Sequence, residues 1–202
     1  KYNDTRDKVH LHRDPQLDCP DYLARQKEAL RQWLPELQQH HPFMYDLGDE
    51  MSYTYFNTPV DFDFSPESLQ RFRDWLQPQY QSLQQLNQEW QREFPDWSAV
   101  QPETLLEARE RGVYTGWAMH KLYNTTVFSG YLRMVADTIR ECDPGALITI
   151  SGTQDPNPYN AYDWTQLMPI FDSMSAYTRD GLPEIYRSFK KIPTMGWVGY
   201  GS

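Results

Sequence analysis

Cysteine is nearly missing from this chain: Cys19 and Cys142 stand alone among 202 residues, far apart and with no C-x-x-C spacing. Neither a zinc ribbon nor a disulfide framework is supported by that usage, and the two thiols pair only if the fold brings them together. Positive charge is short as well, with 19 Lys and Arg against 28 Asp and Glu and a formal net charge of −9. An acidic chain without a Lys/Arg stripe repels phosphate backbones, so no nucleic-acid partner is expected. Long apolar runs are absent too, and no membrane-spanning segment is expected. Repeats and low-complexity linkers are missing, apart from a Gln-rich surface over 77–91. The length allows one sizeable core rather than two. No signal-peptide pattern opens the chain, and "KYNDTRDKVHLHRD" and "GWVGYGS" are abrupt ends. The expectation is a portion of a single domain, covered by the remaining parent chain or by a homo-oligomeric partner, with the compartment left open.

Aromatic rings are plentiful by contrast. Seven Trp and fourteen Tyr exceed what one core requires. Rings in such number line sites that stack flat, amphipathic ligands, and they also sit at half-buried surfaces.

The chain alternates helical and strand-like segments. Residues 21–39 read as a helix with Tyr22, Leu23, Leu30, Trp33, Leu34 and Leu37 on its apolar side, ended by the residues before Pro42. The run 43–47 then reads as a buried strand broken only by Asp46. Ser65-Pro66 starts a helix carrying Leu69, Phe72, Trp75 and Leu76, and Ser82 caps the next, with Leu83, Leu86 and Trp90. A short charged helix over 102–111 stops at Gly112, and a long one covers about 117–141, closed by Asp143-Pro144-Gly145. Three further strand-like runs follow, "ALITISG", "FDSMSAYT" and "IPTMGWVGYG", with short helices between them. Alternating strand and helix is the signature of parallel βα units. Four strands with their helices make about half of a (β/α)8 TIM barrel.

In parallel α/β folds, chemistry collects at the carboxyl ends of strands. Glu50, Gln154, Tyr177 and the stretch from Trp197 to Tyr200 all fall there. A carboxylate, an amide and several rings suit a sugar: rings stack on pyranose faces, amides and acids bond hydroxyls, and a carboxylic acid protonates the glycosidic oxygen. "LGDEMSYTYF" places Asp49 and Glu50 before a loop with Tyr53, Tyr55 and Phe56. An acidic pair after a strand also serves as a helix cap or a solvated turn. The next helix starts only at Ser65, however, so these two acids are not needed to cap it. His10 and His12 in "VHLH" would face one way from a strand and offer two metal ligands, but no further ligand is assignable, and no metal or other cofactor is expected.

"HPFMYDLGDEMSY" followed by "FSPESLQRFRDWLQPQYQSLQQLNQEWQREFPDW" resembles glycoside hydrolase family 42, the β-galactosidase-like retaining barrels. That family carries an Asn-Glu pair at the end of strand four, then a helix of the form F-R-x-W-L, a Tyr, and L-N-x-x-W. Phe72-Arg73-Asp74-Trp75-Leu76, Tyr80, Leu86-Asn87 and Trp90 fit that pattern. The resemblance implies that the chain covers about strands 4 to 7 and that Glu50 is the general acid/base. It implies a β-galactoside or related β-linked sugar as substrate, with Asp49 at the binding position beside the acid; Tyr53 of the aromatic loop and Gln154, Tyr177 and Trp197 at the strand ends are the other expected binding residues.

Three departures accompany it. Asp49 stands where the family has Asn, which bonds the sugar 2-hydroxyl; a carboxylate can also accept from that hydroxyl. The family's nucleophilic Glu near strand seven has no counterpart in "TMGWVGYGS". Of the Cys cluster that holds zinc in many members only Cys19 has a match, so no zinc is expected. The sequence therefore leaves three readings: a retaining glycosidase, a carbohydrate-binding relative without the nucleophile, and a structural domain whose strand-end acids bind only solvent or a cation.

Overall fold

The computed structural model describes residues 2–55, 58–153, 157–177 and 181–197. The chain divides into two compact units, Lys1–Gln16 with Pro59–Asn124 and Leu17–Thr58 with Thr125–Ser202.

The second unit holds the sheet. Its strands are β1 (Tyr45–Asp49), β2 (Ile148–Thr153), β3 (Met174–Tyr177) and β4 (Thr194–Trp197), hydrogen-bonded in the order β1-β2-β3-β4. Every neighbouring pair is parallel, as the sequence pattern predicts. Parallel neighbours cannot be joined by a tight turn, and helices fill the connections. Between β2 and β3 lies α7 (Trp164–Leu167), and between β3 and β4 lies α8 (Leu182–Phe189). This is part of a (β/α)8 barrel. β2 is buried on both faces: Ile148 and Ile150 alternate with Thr149 and Ser151, none more than 5% exposed. The small polar residues tolerate burial because they find partners; the Thr149 hydroxyl donates to the Ser173 carbonyl at 3.0 Å.

Two expectations in this unit need correction. β1 begins at Tyr45, and Phe43 is 81% exposed rather than a strand member. The helix α2 (Pro20–Gln38) forms as expected, but of its apolar stripe only Leu34 is buried, while Trp33 and Leu37 face solvent. Against the long helix α6 (Thr115–Cys142), the Tyr22 ring stacks on Tyr131 with centroids 6.1 Å apart, and Arg31 pairs with Glu141 at 2.7 Å at the surface. Cys19 and Cys142 are free thiols.

The first unit is helical. It opens with α1 (Tyr2–Thr5) and continues with α3 (Pro66–Leu76), α4 (Leu83–Trp90), α5 (Leu105–Arg111) and residues 115–124 of α6. The caps follow from local sequence: Ser65 accepts from the Ser68 amide, Ser82 from the Gln85 amide, and Thr104 with Glu107 completes a capping box. The core gathers Phe72, Leu76, Leu86, Trp90 and Ala108, all fully buried. Each large member contributes about 1.5–3 kcal/mol by leaving water. "VHLH" forms no strand; Lys8–His10 is a 3-10 turn capped by Asp7, so the alternation that would align His10 with His12 does not exist. No helix among the described residues is long and apolar enough to cross a membrane.

Candidate active site

The acid pair sits where β1 stops being regular. Asp46 pairs with Thr149, but the next registered pair is Asp49 with Ser151, so three steps on β1 oppose two on β2. This is a bulge, and it falls on Gly48, whose φ of 152° L-residues rarely adopt. The Asp46 carboxylate accepts from the Gly48 amide at 3.0 Å and helps define the kink. One inserted residue exchanges the two faces of a strand, so Asp49 occupies the register position that a regular strand would give to Gly48.

Glu50 follows with φ 51°. A non-glycine residue there costs about 1–2 kcal/mol and persists only when its surroundings enforce it. One restraint is explicit: the Glu50 amide donates to the Ser151 carbonyl at 3.2 Å. The side chain of Glu50 is half-buried, and Asp49 is exposed.

A second bulge lies beside the first. Ser151 pairs with Ser175 and Thr153 with Ala176, so β2 has one residue more than β3, at Gly152 with φ 58°. Both strands therefore kink at a glycine on the same rim. β3 and β4 continue in plain register to the pair Tyr177 and Trp197, the last residue of each. Glu50, Tyr177 and Trp197 accordingly close three strands of one parallel sheet at the same end. Gln154 lies outside the described residues.

The loops above β1 and β2 are fastened to each other. The Tyr53 amide donates to the Asn160 carbonyl at 3.0 Å, the Thr54 hydroxyl to the Tyr159 carbonyl at 3.2 Å, and the Tyr162 hydroxyl to the Met51 carbonyl. The upper loop is itself built on Asx turns. Asn157 accepts from the amides of Tyr159 and Asn160, and Asn160 accepts from Asn157 and Tyr162. Asp163 then caps α7. Burial works against ionisation of its carboxyl, but donors from Thr165 and Gln166 prevail and hold it below the usual range.

The clasp decides which rings are presented. Tyr53 is 4% exposed and serves the loop's interior, whereas Tyr55, two residues on, is 79% exposed. The sequence pattern points to Tyr53 and does not mark Gly152, Asn160 or Tyr162 as site residues. The dense run "NPYNAYD" was the available signal for the Asx turns. Among the described residues, no group of three His, Cys, Asp or Glu is placed to hold a metal ion.

A parallel sheet of strand-helix units, kinked at its carboxyl rim beneath an acid pair, places the chain among the (β/α)8 barrels. Residues 39–186 match the glycosyl hydrolase 42 family, described as β-galactosidase, and the chain belongs to that family. No curated protein matches. Among solved structures it is similar in fold to the β-galactosidase from the psychrophilic Marinomonas ef1, at 15% identity and TM-score 0.60 over 81% of this chain and 24% of that one. The cold-adapted β-galactosidase from Rahnella sp. R3 is similar at 21% identity, TM-score 0.61, over 81% of this chain and 24% of that one. The agarase AgWH50C is similar at 16% identity, TM-score 0.62, over 89% and 27%. The chain spans about a quarter of the length of these structures.

Proposed function

We propose that this chain is the portion of a retaining glycosidase that carries the general acid/base, and that its substrate is a β-galactoside or a related β-linked sugar. The observation that carries the reading is Glu50: a carboxylic acid held in a left-handed backbone conformation at the bulged carboxyl end of a parallel strand. Outliers of this kind cluster at sites whose geometry matters. Family membership supplies the reaction class.

In this mechanism Glu50 gives its proton to the glycosidic oxygen as the bond to the anomeric carbon breaks. It then takes a proton from the water that releases the sugar. Asp49 accepts a hydrogen bond from a sugar hydroxyl. We assign Gln154, Tyr177 and Trp197 to substrate binding. Tyr55, whose ring is exposed, stacks on the sugar in place of Tyr53. We assign the nucleophile to no residue of this chain.

One observation favours a second reading, a carbohydrate-binding relative without turnover: β4, where the family's nucleophile belongs, reads TMGW and carries no carboxylate. A time course of the first-formed sugar by proton NMR, using the intact protein and an aryl β-galactoside, separates the two. Release of the β-anomer first supports the retaining reading. Release of the α-anomer first, or binding without release, removes it.

A further inference from the structure

Gly152 touches no proton in the proposed reaction, yet its missing side chain is where the acid pair sits. A Cβ built on Gly152 would lie 2.9 Å from Glu50 Cγ and 3.0 Å from the Glu50 amide nitrogen, and closer still to Asp49 Oδ1. Ordinary carbon contacts begin near 3.4 Å or beyond, so even a methyl group displaces both acids. Gly152 is also the inserted residue of the β2 bulge, which brings its backbone toward β1 at the level of the Asp49 and Ser151 pair. The neighbouring bulge works the same way on the following loop, since a Cβ at Gly48 would meet Met51 Sδ at 2.6 Å.

We infer that Gly152 is a positioning residue for the acid pair: the bare backbone of the β2 bulge forms a seat that fixes Asp49 and Glu50 relative to the rim. This rests on the reading of Glu50 as the acid, and it assigns Gly152 no contact with substrate. Two roles for a glycine must be told apart. If only the left-handed conformation matters, Asn is the better replacement, because Asn tolerates φ near 58° more readily than Ala. If the empty space matters, Asn is the worse one, because it is larger.

The test compares Gly152→Ala and Gly152→Asn in the intact protein. Carboxyl 13C resonances of Asp49 and Glu50 should move in both variants, and more in the Asn variant. Hydrolysis of an unactivated β-galactoside should fall by about 100-fold, the usual contribution of a placed general acid, while an activated aryl galactoside loses much less in the glycosylation step. If the variants fold poorly, adding Asp49→Gly to Gly152→Ala removes the tightest of the three contacts and should raise the melting temperature above that of Gly152→Ala alone; no rise overturns the inference. Unmoved carboxyl resonances, or an Asn variant that behaves like the parent, also overturn it. The parent protein's own hydrolysis is read separately. If it turns over no galactoside, the reading of Glu50 falls, while the resonances still decide whether Gly152 seats the pair.

Discussion

The Glu50 amide donates to the Ser151 carbonyl at 3.2 Å while the Glu50 backbone is left-handed, φ 51°. The bond ties the residue after β1 to a buried residue inside β2, so the acid's backbone is fixed by the sheet rather than by its own loop. That is the kind of support a catalytic carboxyl requires, because small misplacements cost rate steeply. It also ties the acid to a glycine bulge one residue further along β2.

The exposed ring of Tyr55 should matter for binding. Tyr55→Ala is expected to raise KM for an oligosaccharide by about 3- to 10-fold, the range of a ring contact of 0.5–1.5 kcal/mol, with little change in the melting temperature. Tyr53→Ala, which empties a buried position, should instead lower the melting temperature. Steady-state kinetics beside thermal unfolding checks both, and a reversed pattern would exchange the roles of the two rings.

The clasp between the two loops predicts a second difference. Tyr162→Phe removes the hydroxyl that donates to the Met51 carbonyl and changes little else in shape. We expect a stability loss of about 1–2 kcal/mol. Amide exchange should also quicken at Tyr53, whose N–H bonds the same partner loop at Asn160.

How much of this was legible in the sequence depends on whether the signal was local. Ser65, Ser82 and Gly112 announce helix ends because a cap needs only a few neighbouring atoms, and all three act as read. β2 was legible because burial on both faces leaves an apolar run in which only small polar residues interrupt. The start of β1 was not, because Phe43 is as apolar as a strand residue and only the sheet shows where pairing begins. The bulges at Gly48 and Gly152 escaped for a related reason: a glycine in a strand pattern signals a kink, a close approach or a turn, and only register against the neighbour distinguishes them. Choosing between Tyr53 and Tyr55 was beyond any periodic rule, since a loop has no period.

Burial of His120 sets a pH dependence in the helical unit. The ring is fully buried in edge-to-face pairs with Phe64 and Phe72, the centroids 4.9 and 5.4 Å apart. Burial pushes the imidazole well below its ordinary range, and the Lys121 ammonium adds to the effect. The unfolded chain takes up this proton near about pH 6.5 while the folded chain does not. The unfolded state therefore binds more protons below that pH, and this contribution to stability, complete above it, is lost as pH falls. Urea unfolding between pH 7 and 5 should show a slope from this group approaching about 1.4 kcal/mol per pH unit, which His120→Phe removes. An identical slope in the variant would place the pH dependence elsewhere.

Lys121 pairs with Asp61 at 2.8 Å, both nearly buried. Asp61 also accepts from the Leu105 amide at 2.8 Å and the Trp117 indole at 2.9 Å. Lys121→Met would leave those two donors but no counter-charge, and we expect a loss of about 3 kcal/mol, at the low end for a broken buried pair. Chemical denaturation measures it, and a loss below 1 kcal/mol would mean that the neutral donors suffice.

The most direct measurement of the central claim is the Glu50→Gln variant of the intact protein on two substrates in the pre-steady state. Glutamine keeps the shape and cannot donate the acid proton. Hydrolysis of an unactivated β-galactoside should fall by about 100- to 10,000-fold, whereas the first step with a dinitrophenyl galactoside, whose leaving group needs no proton, should fall by far less. Release of the second product should slow for both, because the same residue serves there as base. A variant that hydrolyses the unactivated substrate at the parent rate would show that Glu50 is a turn residue and contradict the assignment.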